Sequence, residues 1–343
     1  MATYKESGVD IDAGNESVIR IKDVVRETFT DAVVTGLGSF GAMFSLKEFK
    51  DLEDPILVQS IDSVGTKLMI ATMMNKHDTI GIDMVSHSAN DVLCQGARPL
   101  TFLDYIAANK IKPDHVEQIV RGVAEGCKQA GMSVIGGEIA ELPGVYAEGE
   151  YDLVGAVAGV VDRSRVVTGD KIVPGDKVIG LASVGLHTNG FSLARYVLFS
   201  LKGYNVTDYM EELGETLGEA LLKPHRCYAP PVLQLLDEFE IKGIAHITGG
   251  GLIENPIRVL PDNCGMKIYK DKFTAPPIFK LIVNKGEVSQ HEAYRTLNMG
   301  VGMILVVAAD KVDAVLKRLS ELVDYPVWEI GEVVEGEKKV QIS

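Results

Sequence analysis

The chain has no surplus of basic residues, no paired cysteines, no long apolar run and no GxxxxGK[ST] phosphate loop, and each absence removes a class of function. With 34 Lys and Arg against 48 Asp and Glu, the net charge is −14. That argues against general affinity for nucleic acid or an anionic membrane, because phosphate backbones are bound through an excess of Lys and Arg. Cys94, Cys127, Cys227 and Cys264 form no CxxC pair and no zinc-like spacing. They read as buried thiols of a reducing compartment. No stretch approaches the ~18 apolar residues of a membrane span. Met1–Arg26 lacks the apolar core of a secretion signal, so a cytoplasmic location is expected.

What is present is a globular balance, 46% apolar and 24% charged, over 343 residues. That length favours two domains of about 150 to 180 residues over a single core. The Gly- and Pro-punctuated crossing DRSRVVTGDKIVPGD puts the expected boundary near residue 170, giving domains 1–170 and 171–343.

The stretch QSIDSVGTKLMIA, Gln59 to Ala71, carries the most chemistry. An apolar strand over Ile56–Ile61 breaks at Asp62, turns through Gly65 and enters a helix near Thr66 and Lys67. A carboxylate such as Asp62 can hold Mg²⁺, while backbone N–H groups, Thr66 and Lys67 can take phosphate oxygens; an ordinary turn with a surface ion pair is the alternative. Upstream, Asn15 is placed to cap a helix with Val18, Ile21, Val24 and Val25 at helical spacing. GLGSFGA, with Gly36, Gly38 and Gly41, has dinucleotide-fingerprint spacing but lacks a clear preceding strand and a long following helix. It reads as a mobile loop able to fold over a ligand phosphate.

Downstream, a helix over His77–Ala97 places Asp83, His87 and Asp91 at four-residue steps on one side, so Asp91 could share a metal with Asp62. His87, with no second histidine nearby, reads as an ordinary surface or core residue. Asp104 interrupts the apolar strand PLTFLDYIAAN and needs a metal or a Lys as partner. An amphipathic helix over Lys112–Ala130 leads to MSVIGGEIAELPG, where Glu138 and Glu141 are placed just beyond a strand end. Tyr151–Val161 is an apolar strand.

In the second half, His187, Thr188 and Asn189 precede a helix starting near Phe191, which allows an anion site or simple capping by Asn189. A helical tract runs to Phe239, interrupted at Pro224 and at Pro230 and Pro231. Gly249, Gly250 and Gly251 together imply close backbone approach, pointing to a phosphate. His246, just before them, is equally an acid–base group or a satisfied core histidine. Further strands are expected over Gly302–Ala308 and Val327–Val334. Gly-rich corners with Asp62, Asp91, Asp104 and Glu138 suggest a nucleoside triphosphate held through Mg²⁺ without a P-loop.

The motifs YKESGVDIDAGN, GLGSFGA, DSVGTK, NDVLCQGARP, FLDYIA, GGEIAELPG, GLHTNGFSLAR, HITGGGLIEN and YRTLNMGVGM together resemble the phosphoribosylformylglycinamidine cyclo-ligase family along nearly the whole chain. The resemblance implies an α/β fold of the α+β type, with mixed sheets flanked by helices in two domains. It implies a homodimer in which N-terminal strands form a shared barrel. It also implies ATP-dependent closure of the imidazole ring of formylglycinamidine ribonucleotide in purine biosynthesis, releasing ADP and phosphate.

By the same resemblance Asp62, Asp91 and Glu138 would serve Mg²⁺, Lys67 the phosphates, and Asp104 the metal or the nucleotide. Asn189, His187 and Gly249–Gly251 would engage substrate or phosphate, and His246 would carry a proton. A requirement for K⁺ is left open. Two positions depart from the family pattern: His87 replaces an apolar residue, and Ile139 replaces a threonine. Related families phosphorylate thiamine monophosphate, make selenophosphate or serve hydrogenase maturation. No cysteine precedes residue 94 to handle selenide, and the chain ends KKVQIS without a terminal cysteine. A scaffold that kept the fold and lost turnover is the alternative outside enzymes; the intact set Asp62, Lys67, Asp91 and Glu138 speaks against it.

Overall fold

The computed structural model describes Glu6 and residues 8–343, and the chain divides into two compact units. Residues up to 92 together with 98–164 form the first; residues 93–97 and 165–343 form the second.

The first unit opens with α1 (Ile11–Arg26), which starts four residues before the expected cap. Asp10 is the cap, its carboxylate accepting from the backbone N–H groups of Asp12 and Ala13, so Asn15 lies inside the helix. There follow β1 (Pro55–Ser63), α2 (Lys67–Met74), α3 (Ile80–Leu93), β2 (Arg98–Ala108), α4 (Pro113–Ala130), β3 (Ser133–Glu141) and β4 (Tyr151–Asp162). The sheet order is β1-β4-β2-β3, with only β2 and β3 parallel. The parallel pair exists because α4 crosses between its strands, burying Val116, Ile119, Val120 and Val123 along one stripe. Thr28 ties the chain after α1 to β3: its hydroxyl accepts from Val134 N–H at 2.9 Å and its carbonyl from the Ser133 hydroxyl at 2.8 Å.

The second unit contains β5 (Lys177–Ala182), α5 (Phe191–Arg195), β6 (Tyr209–Met210), β7 (Glu215–Thr216), α6 (Leu217–Leu221), α7 (Ala229–Glu238), β8 (Gly243–His246), α8 (Gly251–Glu254) and β9 (Cys264–Ile268). It continues with α9 (Pro277–Gly286), α10 (Gln290–Thr296), β10 (Val301–Val307), α11 (Val312–Leu322), β11 (Val327–Glu335) and β12 (Val340–Ile342). Its six-stranded sheet runs β12-β9-β11-β5-β10-β8. One face packs on α7 and α11 through Val232, Leu235, Val315 and Leu319; the other buries Val178, Met266, Ile304 and Ile330.

The tract read as helical to Phe239 is broken more deeply than its prolines indicate. α5 passes into a π-helical turn, Tyr196–Leu201, and a small hairpin of β6 and β7 follows. Pro230 and Pro231 open α7, where a missing N–H costs nothing. Among the described residues no helix is long and apolar enough to cross a membrane, and none of the four cysteines is in a disulfide.

Candidate active site

In the first unit β1 and α3 bring the expected acids together. Ser60 and Asp62 share one face of β1, and α3 presents Asp83, His87 and Asp91 at successive turns. His87 Nε2 lies 3.0 Å from Asp62 Oδ2 and 4.0 Å from Asp91 Oδ2, and Ser60 donates its hydroxyl to Asp91 at 3.2 Å. Burial pushes the Asp62 carboxyl up, but the hydrogen bond and charge of His87 outweigh it, leaving Asp62 below its ordinary range. Burial pulls His87 down, but its hydrogen bond to Asp62 and the charges of Asp91, Asp62 and Asp83 leave it raised. The histidine that sequence reading treated as ordinary is therefore buried between the two candidate metal ligands.

Lys67 departs most from expectation. Gly65, at φ +67°, and Thr66 are exposed in the turn after β1, but Lys67 is wholly buried, with Nζ 2.7 Å from Asp83 Oδ1. Burial lowers its pKa more than Asp83 raises it. Its ammonium binds α2 to α3 in the interior and does not stand at a phosphate corner.

Strand register links Asp62 to Asp104: Asp62 and Asp104 are both opposite Gly155, and Asp104 is in turn opposite Gly137. The two acids thus share one sheet face. Burial lifts the half-buried Asp104 carboxyl to about 7. It leans across Gly137, where a Cβ would sit 1.9 Å from Oδ1; the glycine makes room for the acid.

Beside Asp104 lies a cavity of about 890 Å³, walled by α1, by the 36–42 loop with Gly36, Gly38 and Gly41, and by Glu138. The loop has neither helix nor strand, and Phe40 at its tip is fully exposed. Glu138 is not beyond β3 as expected, since the strand continues to Glu141. It pairs with Tyr105, one residue out of step with the Asp104 row, and so faces the opposite side of the sheet from Asp62. Three strand spacings, roughly 14 Å, also separate β3 from β1. Within this chain Glu138 does not join Asp62 and Asp91 around a single cation.

In the second unit the loop after β5, the end of β8 and the loop between α6 and α7 converge on histidines. His187, at φ +63°, stacks on His225 with ring centroids 4.0 Å apart. His225 Nε2 is 3.0 Å from His246 Nε2, and its Nδ1 is 3.3 Å from the Thr188 hydroxyl, to which Asn189 donates at 3.3 Å. All three histidines are buried.

The glycine turn has mixed causes. A Cβ on Gly251, which has φ +56°, would lie 2.2 Å from the Tyr294 carbonyl, so chain packing explains that glycine. At Gly249 the one close neighbour among the described residues is Asn189 Oδ1 at 3.3 Å. α5 and α8 have only five and four residues, which removes the basis for anion binding by a long helix dipole. Sequence reasoning missed His225, which lies in the loop between α6 and α7 and gains its role only through contacts distant in sequence. Ser60 was findable, being two residues from Asp62 on the same strand.

Residues 24–161 match the N-terminal domain of AIR synthase related proteins, and residues 173–343 match their C-terminal domain. The fold agrees with this class. A thiamine-monophosphate kinase from Stenotrophomonas maltophilia superposes with TM-score 0.68 at 20% identity, covering 94% of this chain and 96% of that one. The hydrogenase maturation protein HypE in complex with ATP gives 0.63 at 16%, covering 95% and 90%. The sequence relatives narrow the class. Phosphoribosylformylglycinamidine cyclo-ligases from Syntrophotalea carbinolica and Pseudothermotoga lettingae are each 51% identical, over 99% of this chain and 98% and 99% of theirs. The chain belongs to the phosphoribosylformylglycinamidine cyclo-ligase family.

Proposed function

We propose that this chain closes formylglycinamidine ribonucleotide to 5-aminoimidazole ribonucleotide at the expense of ATP, releasing ADP and phosphate. The observation that carries this reading is 51% identity over 99% of the chain to a relative named for that activity. The formyl oxygen is a poor leaving group. Transfer of the γ-phosphoryl group to it creates a good one, and the amidine nitrogen then attacks the activated carbon and expels phosphate. Such a reaction asks the protein chiefly for positioning and charge neutralisation.

The cavity beside Asp104, with Glu138 and the glycine loop at its rim, is assigned to the nucleotide. Asp62, Asp91 and Ser60 offer hard oxygen donors that suit Mg²⁺, whose bound charge would offset that of the phosphates. Lys67 keeps α2 and α3 together through Asp83. Asn189, His187 and Gly249 are assigned to substrate, with His246 as proton carrier.

A homodimer is supported by the opposite sheet face. There Leu57 and Ile61 of β1 are 62% and 71% exposed, apolar area suited to a second copy.

The test is ADP release with and without formylglycinamidine ribonucleotide. ADP should appear only with that substrate and together with a diazotisable aminoimidazole. ATP binding without turnover would instead support the scaffold reading. Asp62→Asn and Asp91→Asn should each abolish turnover with thermal midpoints near wild type; retained activity in either removes that residue from the site.

A further inference from the structure

The three-histidine cluster contains a residue that the reaction scheme has not used. We infer that His225 is a positioning residue, fixing which ring nitrogen of His246 carries the proton through a hydrogen-bond chain that reaches back to Asn189. This rests on the assignment of His246 as the proton carrier.

At 3.0 Å, the Nε2 atoms of His225 and His246 form a hydrogen bond only if one donates and the other accepts. The other nitrogen of His225 faces the Thr188 hydroxyl at 3.3 Å, which can donate or accept. The two choices are linked through the ring. A neutral His225 that accepts from Thr188 at Nδ1 donates from Nε2, leaving His246 to accept there and carry its proton on Nδ1. The reverse orientation puts the His246 proton on Nε2. Asn189 biases Thr188 by donating to its oxygen at 3.3 Å, so a substrate that engages Asn189 acts on the orientation of the chain.

The cluster is built to hold this geometry. His187 stacks on the His225 ring at 21°, which fixes the ring plane and keeps both nitrogens aimed. His187 adopts the left-handed conformation uncommon outside glycine, with Val184 N–H donating to its Nε2 at 3.4 Å. Gly302 leaves the space for this ring, since a Cβ there would stand 2.7 Å from His187 Cε1 and 2.0 Å from the Tyr228 hydroxyl.

The decisive experiment is long-range ¹H–¹⁵N spectroscopy of the full chain labelled with ¹⁵N-histidine, with signals assigned by His246→Gln. Wild type should show well-separated Nδ1 and Nε2 signals for His246, the mark of one tautomer. Thr188→Val removes the hydroxyl while keeping the side-chain shape, and should draw those two signals together. Unchanged His246 signals in Thr188→Val overturn the proposal.

His225→Gln, which can meet His246 but cannot join it to Thr188, should lower kcat by about 10- to 100-fold with KM within about twofold. Unchanged kcat in a folded His225→Gln would also overturn it. Failure of the ring-closure reading is separate: it would appear as no aminoimidazole from wild type, with the spectroscopic coupling intact.

Discussion

The two units order the polar groups around their candidate sites by different means. In the first, the groups around the acidic site are ionisable: Lys67 on Asp83 with both side chains fully buried, and His87 against Asp62 and Asp91. In the second, the loops are held by uncharged amides and hydroxyls. Ser183 donates to Asn298 at 2.8 Å, Asn298 to the Gly185 carbonyl at 2.8 Å, and Asn189 to Thr188. A buried ion pair fixes geometry strongly but leaves an uncompensated charge when one partner goes. A neutral network loses only the bond removed, plus whatever polar group is stranded.

The largest predicted effect follows directly. Lys67→Met strands the Asp83 carboxylate and should destabilise the protein by about 3–5 kcal/mol in urea unfolding, whereas Thr188→Val, which strands only the neutral His225 ring nitrogen, should cost about 1–3 kcal/mol. The double variant Lys67→Met/Asp83→Leu should recover most of the loss. If Lys67→Met costs no more than Thr188→Val, the contrast between the units is gone.

His77 sharpens the contrast, because it is a buried titratable group in the first unit that is kept neutral. It is 2% exposed, accepts or donates at Nδ1 with the Tyr151 hydroxyl at 2.9 Å and stacks on His115. Burial, then the charges of His115 and Lys112, hold its pKa down at about 4. The unfolded chain binds this proton near pH 6.5, so stability is unaffected above that value and falls as pH drops from about 6.5 to about 4. The loss attributable to His77 across that window is about 3 kcal/mol. His77→Gln should flatten the slope of unfolding free energy between pH 7 and 4; an equal slope in both proteins would refute it.

Local signals were legible in the sequence, and long-range ones were not. The apolar runs gave β1, β2, β4 and α4, and Asp62 and Asp91 were singled out by their local context alone. The depth of Lys67 was hidden because its partner Asp83 is 16 residues away on another helix. Glu138 was misplaced because the paired glycines looked like a strand end, whereas β3 is an edge strand whose exposed side tolerates Gly and Glu. β9 and β12 were not foreseen; they have five and three residues, too few for periodicity to register. His225 carries no local pattern at all.

Close approach gives the next tier of effects, with one glycine in each unit. Gly137→Ala puts a methyl 1.9 Å from Asp104 Oδ1 and 2.8 Å from the Asp104 carbonyl. It should cost about 1–3 kcal/mol and weaken ATP binding by displacing the acid. Gly251→Ala meets the Tyr294 carbonyl at 2.2 Å and a positive φ. It should cost a similar amount through the fold alone. If Gly137→Ala lowers stability but leaves the ATP dissociation constant unchanged, Asp104 does not serve the nucleotide.

Gly249→Ala should have the smallest effect on stability and the most specific effect on function. Its added methyl meets only Asn189 Oδ1, at 3.3 Å, and a shift of a few tenths of an ångström in that side chain relieves it. The thermal midpoint should therefore stay within about 2 °C of wild type, since surface changes of this kind stay within about 0.5 kcal/mol. Should the Gly249 backbone lie against the substrate, the methyl takes that space and KM for formylglycinamidine ribonucleotide rises while KM for ATP does not. An unchanged substrate KM would make Gly249, like Gly251, a glycine of the fold. The role of the second unit in substrate binding would then rest on Asn189 and His187 alone.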